Sequence, residues 1–188
     1  MFDADAIVRD VIGRVLANYQ RIGHRLYHNG SGDPPKAPLQ SSPLRDDIML
    51  LVRIANGDID RATVGDEEVG AVVEAVERLI ELLFARPGEP HAHHIPAAFW
   101  SQPGIGQALA HVQVWLRRDD LIGYTEAAQL LFGELAYANI QAARMRVKRL
   151  VERGALLAYA APGEANPTRR GRVSRMAAQA LRDAGAAV

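Results

Sequence analysis

The chain has 188 residues, a formal net charge of zero at pH 7, 48% hydrophobic residues and no cysteine. That hydrophobic fraction excludes a wholly disordered chain, and the lack of Cys excludes disulfides, thiolate metal sites and cysteine nucleophiles. Charged residues, Gly or Pro interrupt every apolar stretch before the roughly 20 residues that a membrane span needs, and the acidic N-terminus has no signal-peptide pattern. We therefore expect a soluble, cytoplasmic protein with no membrane partner.

The neutral total conceals a charge gradient along the chain. Residues 1–116 contain ten Arg and Lys against fifteen Asp and Glu, a net charge of −5, whereas residues 117–188 contain twelve against seven, a net charge of +5. Nine basic residues lie between Arg144 and Arg175, which is typical of a segment that faces nucleic acid. High-GC coding also favours Arg, since only Lys36 and Lys148 are Lys and the chain is rich in Ala.

The first predicted element is a long amphipathic helix over residues 4–28. Its apolar residues alternate between spacings of four and three, a heptad pattern, and they are Val8, Ile12, Val15, Tyr19, Ile22 and Leu26. The pattern has two interpretations, a dimerisation helix or a helix packed on the core of its own domain. Residues 29–43 are rich in Gly, Pro and Ser and are predicted to form a loop.

Three further helices are predicted before residue 118. The first covers residues 44–56 and ends at Gly57, a residue that suits the left-handed position after a helix. The second covers residues 66–86 and begins with three acidic residues, which a helix N-terminus favours. The third covers residues 104–117. Residues 1–118 are therefore predicted to form one helical region.

The predicted elements change from Leu121 onward, where they become shorter. In chain order they are an extended segment at residues 121–124, a helix capped by Thr125 and stopped by Gly133, a long helix over residues 135–153, strands at residues 156–159 and 172–173, and a last helix capped by Ser174. The chain is thus predicted to be mainly α, and residues 119–188 have the order helix, helix, β-hairpin, helix.

This order, with a basic second helix, is the arrangement of a winged helix-turn-helix, in which the second helix enters the major groove and the hairpin contacts the backbone or minor groove. Arg suits such a surface because its planar fork donates two hydrogen bonds to guanine or phosphate. The candidate residues for binding double-stranded DNA are Arg144, Arg146, Lys148, Arg149, Arg169, Arg170, Arg172 and Arg175. The other interpretation is a solvated basic face.

The same segments resemble a known family. The sequences YTEAAQLLF, ARMRVKRLVERGAL and GRVSRMAAQAL, within about residues 121–182, are similar to the winged-helix DNA-binding domains of the excisionase and MerR type. The resemblance implies a supporting first helix that contains Glu126, Ala127, Ala128 and Leu131. It implies groove-facing positions at Arg144, Arg146 and Arg149, and core or turn positions at Leu150, Val151, Gly154 and Leu156. Residues 133–141 and 160–170 are longer than the corresponding segments of the family.

Two other motifs admit a functional and a structural interpretation. His91, His93 and His94 could bind zinc, but no Cys is present, the nearest acid is Glu89, and flanking prolines favour an exposed loop. We therefore predict no metal site. Phe99 and Trp100 could stack on a base or line a pocket, or anchor a loop against the core, which we favour.

The sequence contains no motif that supports catalysis. There is no G-x-S-x-G and no phosphate-binding loop, and the pairs Asp46–Asp47 and Asp119–Asp120 are interpreted as helix-end and loop charges. We predict a DNA-binding protein that is not an enzyme and needs no cofactor, a transcriptional regulator or a phage- or plasmid-type accessory factor, acting as a homodimer through its N-terminal helices. The alternative is a helical protein-interaction adaptor whose winged helix holds a protein partner.

Overall fold

The computed structural model describes residues 1–26, 42–84, 95–160 and 171–185. Over these ranges the chain is mainly helical with a small antiparallel sheet, which confirms the predicted fold class. The helices are α1 (Ala4–Leu26), α2 (Pro43–Asn56), α3 (Asp66–Phe84), α4 (Ile105–Leu116), α5 (Tyr124–Phe132), α6 (Glu134–Ala138), α7 (Ile140–Glu152) and α8 (Arg175–Asp183). The strands are β1 (Leu121–Gly123), β2 (Tyr159–Ala160) and β3 (Gly171–Ser174), and short 3-10 turns cover Arg61–Thr63 and Ala97–Ser101.

Helices α1 to α4 share one hydrophobic core, with α2 in contact with the other three. Ile48 and Leu51 of α2 are fully buried there. The hydroxyl of Ser42 accepts a hydrogen bond from the N–H of Arg45 and caps the start of α2, and Gly57, at φ 84°, ends it as the sequence predicted. Both ends of this central helix are therefore set by local sequence signals.

The first half of the heptad pattern in α1 belongs to this core. Val8, Ile12 and Val15 are 1%, 2% and 7% exposed, and α1 packs against α2 and α3. At these three positions the helix is packed on its own domain. The side chains of the later pattern residues, Tyr19 to Leu26, and loop residues 29–41 lie outside the part of the chain that the structure describes.

The 3-10 turn Ala97–Ser101 fixes two aromatic residues against the first core, as predicted. Phe99 is buried, and its ring meets that of Phe84 edge to face with centroids 4.9 Å apart. Trp100 packs against the same core from the next position. The turn lies directly on the start of α4, where a Cβ atom at Gly106 would be 1.9 Å from the carbonyl oxygen of Phe99. A side chain at position 106 would therefore push α4 and the turn apart.

The sheet and helices α5 to α8 enclose a second core. β3 lies between β1 and β2, antiparallel to both, and pairs Val173 with Ile122 of β1. The buried side chains of this core are Ile122, Ala127, Ala128, Leu131, Ala136, Ala143, Val147, Leu150, Leu156, Val173 and Ala178. The two hairpin strands and the last helix follow in the predicted order, but three helices, α5, α6 and α7, precede them where two were predicted.

Two local predictions in this region are wrong. Helix α5 begins at Tyr124 after Gly123, with no side-chain cap, so Thr125 lies inside the helix. The long helix expected over residues 135–153 is divided into α6 and α7, because Asn139 leaves the helical conformation at φ −151° and its side-chain oxygen accepts the N–H of Ala142. Asn favours such a capping position over a helix interior.

A third apolar cluster connects the two cores. Ala110 and Val114 of α4 pack against Tyr159 of β2, with Leu121 and Leu157 beside them. These contacts place the hairpin strands directly on the last helix of the N-terminal region. No helix within the described ranges is both long and apolar enough to cross a lipid bilayer.

Candidate nucleic-acid interface

Helix α7 carries four of the predicted DNA-binding residues around one buried stripe. Ala143, Val147 and Leu150 are buried, and Ile140 and Val151 pack against them, which confirms the stripe that the periodicity predicted. Since successive helical residues differ by about 100°, the stripe occupies one side of α7. The rest of the helix surface is available to solvent or to a ligand.

The cations of α7 do not form a single row. Arg144 and Arg146 are about 200° apart on the helix, so they lie on opposite flanks of the buried stripe. Arg144 is half-buried and donates a long hydrogen bond of 3.5 Å to Oε1 of Gln141. Arg146 is exposed, with its guanidinium carbon 5.7 Å from the centre of the Phe132 ring. Arg144 and Arg146 therefore project from opposite flanks of α7.

The surface directly opposite the buried stripe is mostly uncharged at its N-terminal end. It carries Gln141 and Met145, followed by Arg149, and Met145 is 50% exposed. Glu152 lies at the C-terminal end of the same surface, 3.6 Å from Nζ of Lys148. Sequence reasoning missed Gln141 and Met145 because it looked for charge, although their spacing of four places both on this surface.

Of the hairpin cations, only Arg172 lies within the described residues; Arg169 and Arg170 lie outside them. Arg172 is half-buried on β3, the central strand, where it pairs with Gly123 on one side and Tyr159 on the other. Because strand residues alternate in direction and the next residue, Val173, is buried in the core, Arg172 projects from the other face of the sheet.

Arg175 connects two helices of the second core. As the first residue of α8, it forms ion pairs with Glu126 of α5 and with Asp120, the latter at 3.5 Å. Two carboxylates therefore already neutralise this guanidinium, which is 44% exposed. Arg175 is therefore a weaker candidate for a phosphate contact than the sequence suggested. Glu126 of the supporting helix is one of its two ion-pair partners.

Asp46, in the first turn of α2, and Asp119 act as helix-end charges, as predicted, whereas Asp47 pairs with Arg78 of α3. Asp119 accepts the Ser174 hydroxyl and the N–H of Met176, the latter at 3.1 Å, at the start of α8. Ser174 caps the same helix by accepting the N–H of Ala177 at 2.9 Å. In the first core, Asp47 accepts two hydrogen bonds of 2.9 and 3.0 Å from Arg78 and raises the pKa of that guanidinium.

His91, His93 and His94 lie outside the described residues, and within the ranges described no three His, Asp or Glu side chains are placed to hold a metal ion. Comparison with protein-family models, with curated proteins and with solved structures finds no match for this chain.

Proposed function

We propose that this protein binds double-stranded DNA through α7 and the β2–β3 hairpin, as a transcriptional regulator or a phage- or plasmid-type accessory factor of the cytoplasm. The observation that carries the proposal is the arrangement of α7, a basic helix whose inner stripe packs against α5 and whose outer surface is exposed among the residues that the structure describes. A helix with side chains is about 10–12 Å wide, and the major groove is about 12 Å wide.

The cations on the two opposite flanks of α7 support insertion of this helix into the major groove. A groove has a phosphate backbone on each side, so a helix inserted in it needs cations on both flanks rather than in one row. Arg144 lies on one flank and Arg146 on the other, while Arg149 extends the basic surface toward the end of the helix. The hairpin strands, with Arg172, follow α7 in the chain, and residues 117–188 have a net charge of +5.

The test is the salt dependence of duplex binding, measured by fluorescence anisotropy with a labelled duplex of about 20 base pairs between about 50 and 200 mM salt. We expect the logarithm of the binding constant to fall linearly with the logarithm of salt concentration, since each phosphate contact releases counterions. Arg146→Ala should reduce the slope by about one unit. Arg9→Ala, an exposed arginine on α1, is the matched control and should bind as the unmodified chain does. Absence of binding at the lowest salt concentration overturns the proposal.

A second candidate function is the helical protein-interaction adaptor. The observation that favours it is the exposure of Tyr137 on α6, Met145 on α7 and Met176 on α8, at 73%, 50% and 57%, since Tyr and Met are enriched in protein interfaces. This function predicts no duplex binding in the same assay. It also predicts that an affinity for a protein partner survives Arg146→Ala and is lost on Met145→Ala.

We further propose that the protein acts as a homodimer through its N-terminal region, because two linked copies gain affinity and fix the spacing of two half-sites. Val8, Ile12 and Val15 belong to the core of a single chain, so the interface must use another surface of residues 1–118. Light scattering should give about twice the chain mass of 20.5 kDa. A single-chain mass, both free and on a duplex, contradicts the dimer.

A further inference from the structure

The outward surface of α7, opposite its buried stripe, carries uncharged side chains at its N-terminal end, unlike the basic flanks of the helix. Gln141 and Met145 are both exposed there, and Ala142 beside them is exposed and small. The two residues are four apart, about 6 Å along the helix axis, which is close to two base-pair steps of about 3.4 Å. A helix lying along a groove would therefore present them to base pairs about two apart.

The charges at the two ends of α7 decide which half enters a groove. Glu152, at the C-terminal end of the outward surface, would face the DNA with a negative charge, and it already pairs with Lys148 at 3.6 Å. The N-terminal end carries the positive partial charge of the helix dipole, which favours approach to DNA. Asn139 caps that end and makes the helix begin at Ile140, so Gln141 lies in its first turn. The N-terminal half of α7 is therefore the half that we expect to enter the groove.

The side chain of Gln141 has a hydrogen-bond partner on its own helix. Its Oε1 accepts a hydrogen bond from Nη1 of Arg144 at 3.5 Å, and an amide oxygen has a second lone pair. The Nε2 group keeps its donors, since no hydrogen bond to it is found among the described residues. An amide in this state can accept from N6 of adenine and donate to N7, the pairing that glutamine makes with adenine. Arg144 would remain beside the phosphate of the same strand.

The side chain of Met145 offers a base no strong hydrogen-bonding group, but it is apolar and 50% exposed. The one apolar group in the major groove is the C5 methyl of thymine. From the exposure, spacing and chemistry of these two side chains we infer that α7 recognises an A·T-containing site. In this site Gln141 binds an adenine and Met145 contacts a thymine methyl about two base pairs away. This inference rests on the proposed DNA binding and adds its substrate class.

The first experiment selects the preferred duplexes from a pool of random duplexes of about 20 base pairs with the full chain. We expect A·T pairs to be enriched at two positions about two base pairs apart. Met145→Ala should remove the preference at one position and Gln141→Ala at the other. Met176→Ala, a comparably exposed methionine on α8, is the matched control and should leave both preferences unchanged.

The second experiment changes single atoms or groups of the selected duplex. Replacing the thymine assigned to Met145 by uracil removes only the methyl group. Replacing the adenine assigned to Gln141 by 7-deazaadenine removes only the N7 acceptor. Each should weaken binding by the unmodified chain by about fivefold or more. The uracil effect should disappear in Met145→Ala, and the 7-deazaadenine effect in Gln141→Ala.

The outcomes separate this inference from the proposed function. Absence of binding to the whole pool at low salt overturns both. Salt-dependent binding with no A·T enrichment, or with base effects that are the same in the unmodified chain and in the two variants, overturns the assignment of Gln141 and Met145 and leaves the proposed DNA binding in place.

Discussion

At the scale of single residues, Gly106 is where the first core is most sensitive to one added methyl group. A Cβ there would lie 1.9 Å from the carbonyl oxygen of Phe99, so Gly106→Ala must separate α4 from the 3-10 turn. Overpacking of this kind costs about 1–3 kcal/mol. We expect the free energy of unfolding, measured with urea, to fall by this amount.

Gly70 provides the matched control for that substitution. It is exposed on α3, and a Cβ added there would have no atom of another residue within 4 Å, so Gly70→Ala gains helix propensity without a clash. That change should stabilise the protein by about 0.5–1 kcal/mol. If both variants shift the urea midpoint in the same direction, the close approach at Gly106 is wrong.

We expect His111 to make the stability of the protein depend on pH. It lies on α4, 7% exposed, with its ring between those of Phe2 and Tyr159 at centroid distances of 5.4 and 5.6 Å. Burial lowers the pKa of His111, and a hydrogen bond to the backbone of Ala160 opposes this in part. Burial also raises the pKa of Tyr159 above its ordinary value near 10, so this ring is neutral throughout the pH range in which His111 titrates. No partner for Nε2 of His111 is found among the described residues.

The sign of the pH effect follows from the lowered pKa. The unfolded chain binds a proton near pH 6.5 and the folded chain only at lower pH, so protonation favours unfolding. The contribution of neutral His111 to the free energy of unfolding should be fully present above about pH 6.5. Below that pH the free energy of unfolding should fall, by at most about 1.4 kcal/mol per pH unit from this group. Urea unfolding about one pH unit above and one below this value measures the loss. His111→Gln should lose less stability between these two conditions, and an identical loss in both proteins would contradict the assignment.

At the scale of elements, the sequence was informative wherever the signal is local. The ends of α2 and α8 could be predicted because Gly57 and Ser174 act within a few residues of the helix that they end or begin. The buried stripe of α7 could be predicted because a helix repeats every 3.6 residues. The anchoring role of Phe99 followed from its apolar character between two prolines.

The division of α6 from α7 also had a local signal, which the apolar periodicity concealed. Asn139 stands three residues before Ala142, whose N–H its side chain accepts, and Asn is among the residues that favour the N-cap. Apolar residues at helical spacing continue across this position, so the pattern predicted one helix where the capping residue makes two.

The parts of the candidate site that could not be predicted depend on distant contacts. Arg175 meets Glu126, 49 positions earlier in the chain, and a single sequence does not show which cations are already paired. The outward position of Gln141 and Met145 depends on which side of α7 meets α5. Periodicity predicts the buried side and with it the outward position of these two residues, but the base contacts that we infer for them also depend on the ion pair of Lys148 with Glu152.

At the scale of the whole molecule, one polar side chain holds the two cores together. Gln107 of α4 is 7% exposed. Its Nε2 donates to the carbonyl oxygens of Trp100, at 2.8 Å, and Ala158, at 3.0 Å, and its Oε1 accepts the N–H of Ala160 at 3.0 Å. The side chain thus bonds the backbone of the 3-10 turn on one side and of the hairpin strand on the other, beside the apolar cluster of Tyr159.

Because of this bridge, Gln107→Ala should weaken the coupling between the cores as well as the total stability. The variant leaves two carbonyls and one N–H without their partner, a loss of about 1–3 kcal/mol. Trp100 and Trp115 pack against the first core, and Trp100 also contacts the third apolar cluster. Their fluorescence therefore reports on the first core and its contact with the hairpin strand, while far-UV circular dichroism reports on all helices. In the unmodified chain the two urea transitions should coincide, as for a two-state protein.

In Gln107→Ala we expect the two transitions to separate, because the three hydrogen bonds of this side chain no longer link the two cores. Gln113→Ala is the matched control: this half-buried glutamine lies on the same helix, and its side chain makes no hydrogen bond among the described residues. Its transitions should remain coincident. If the Gln107→Ala transitions also coincide, and its loss of stability is no greater than that of Gln113→Ala, then the apolar cluster of Ala110, Val114 and Tyr159 couples the cores without the glutamine.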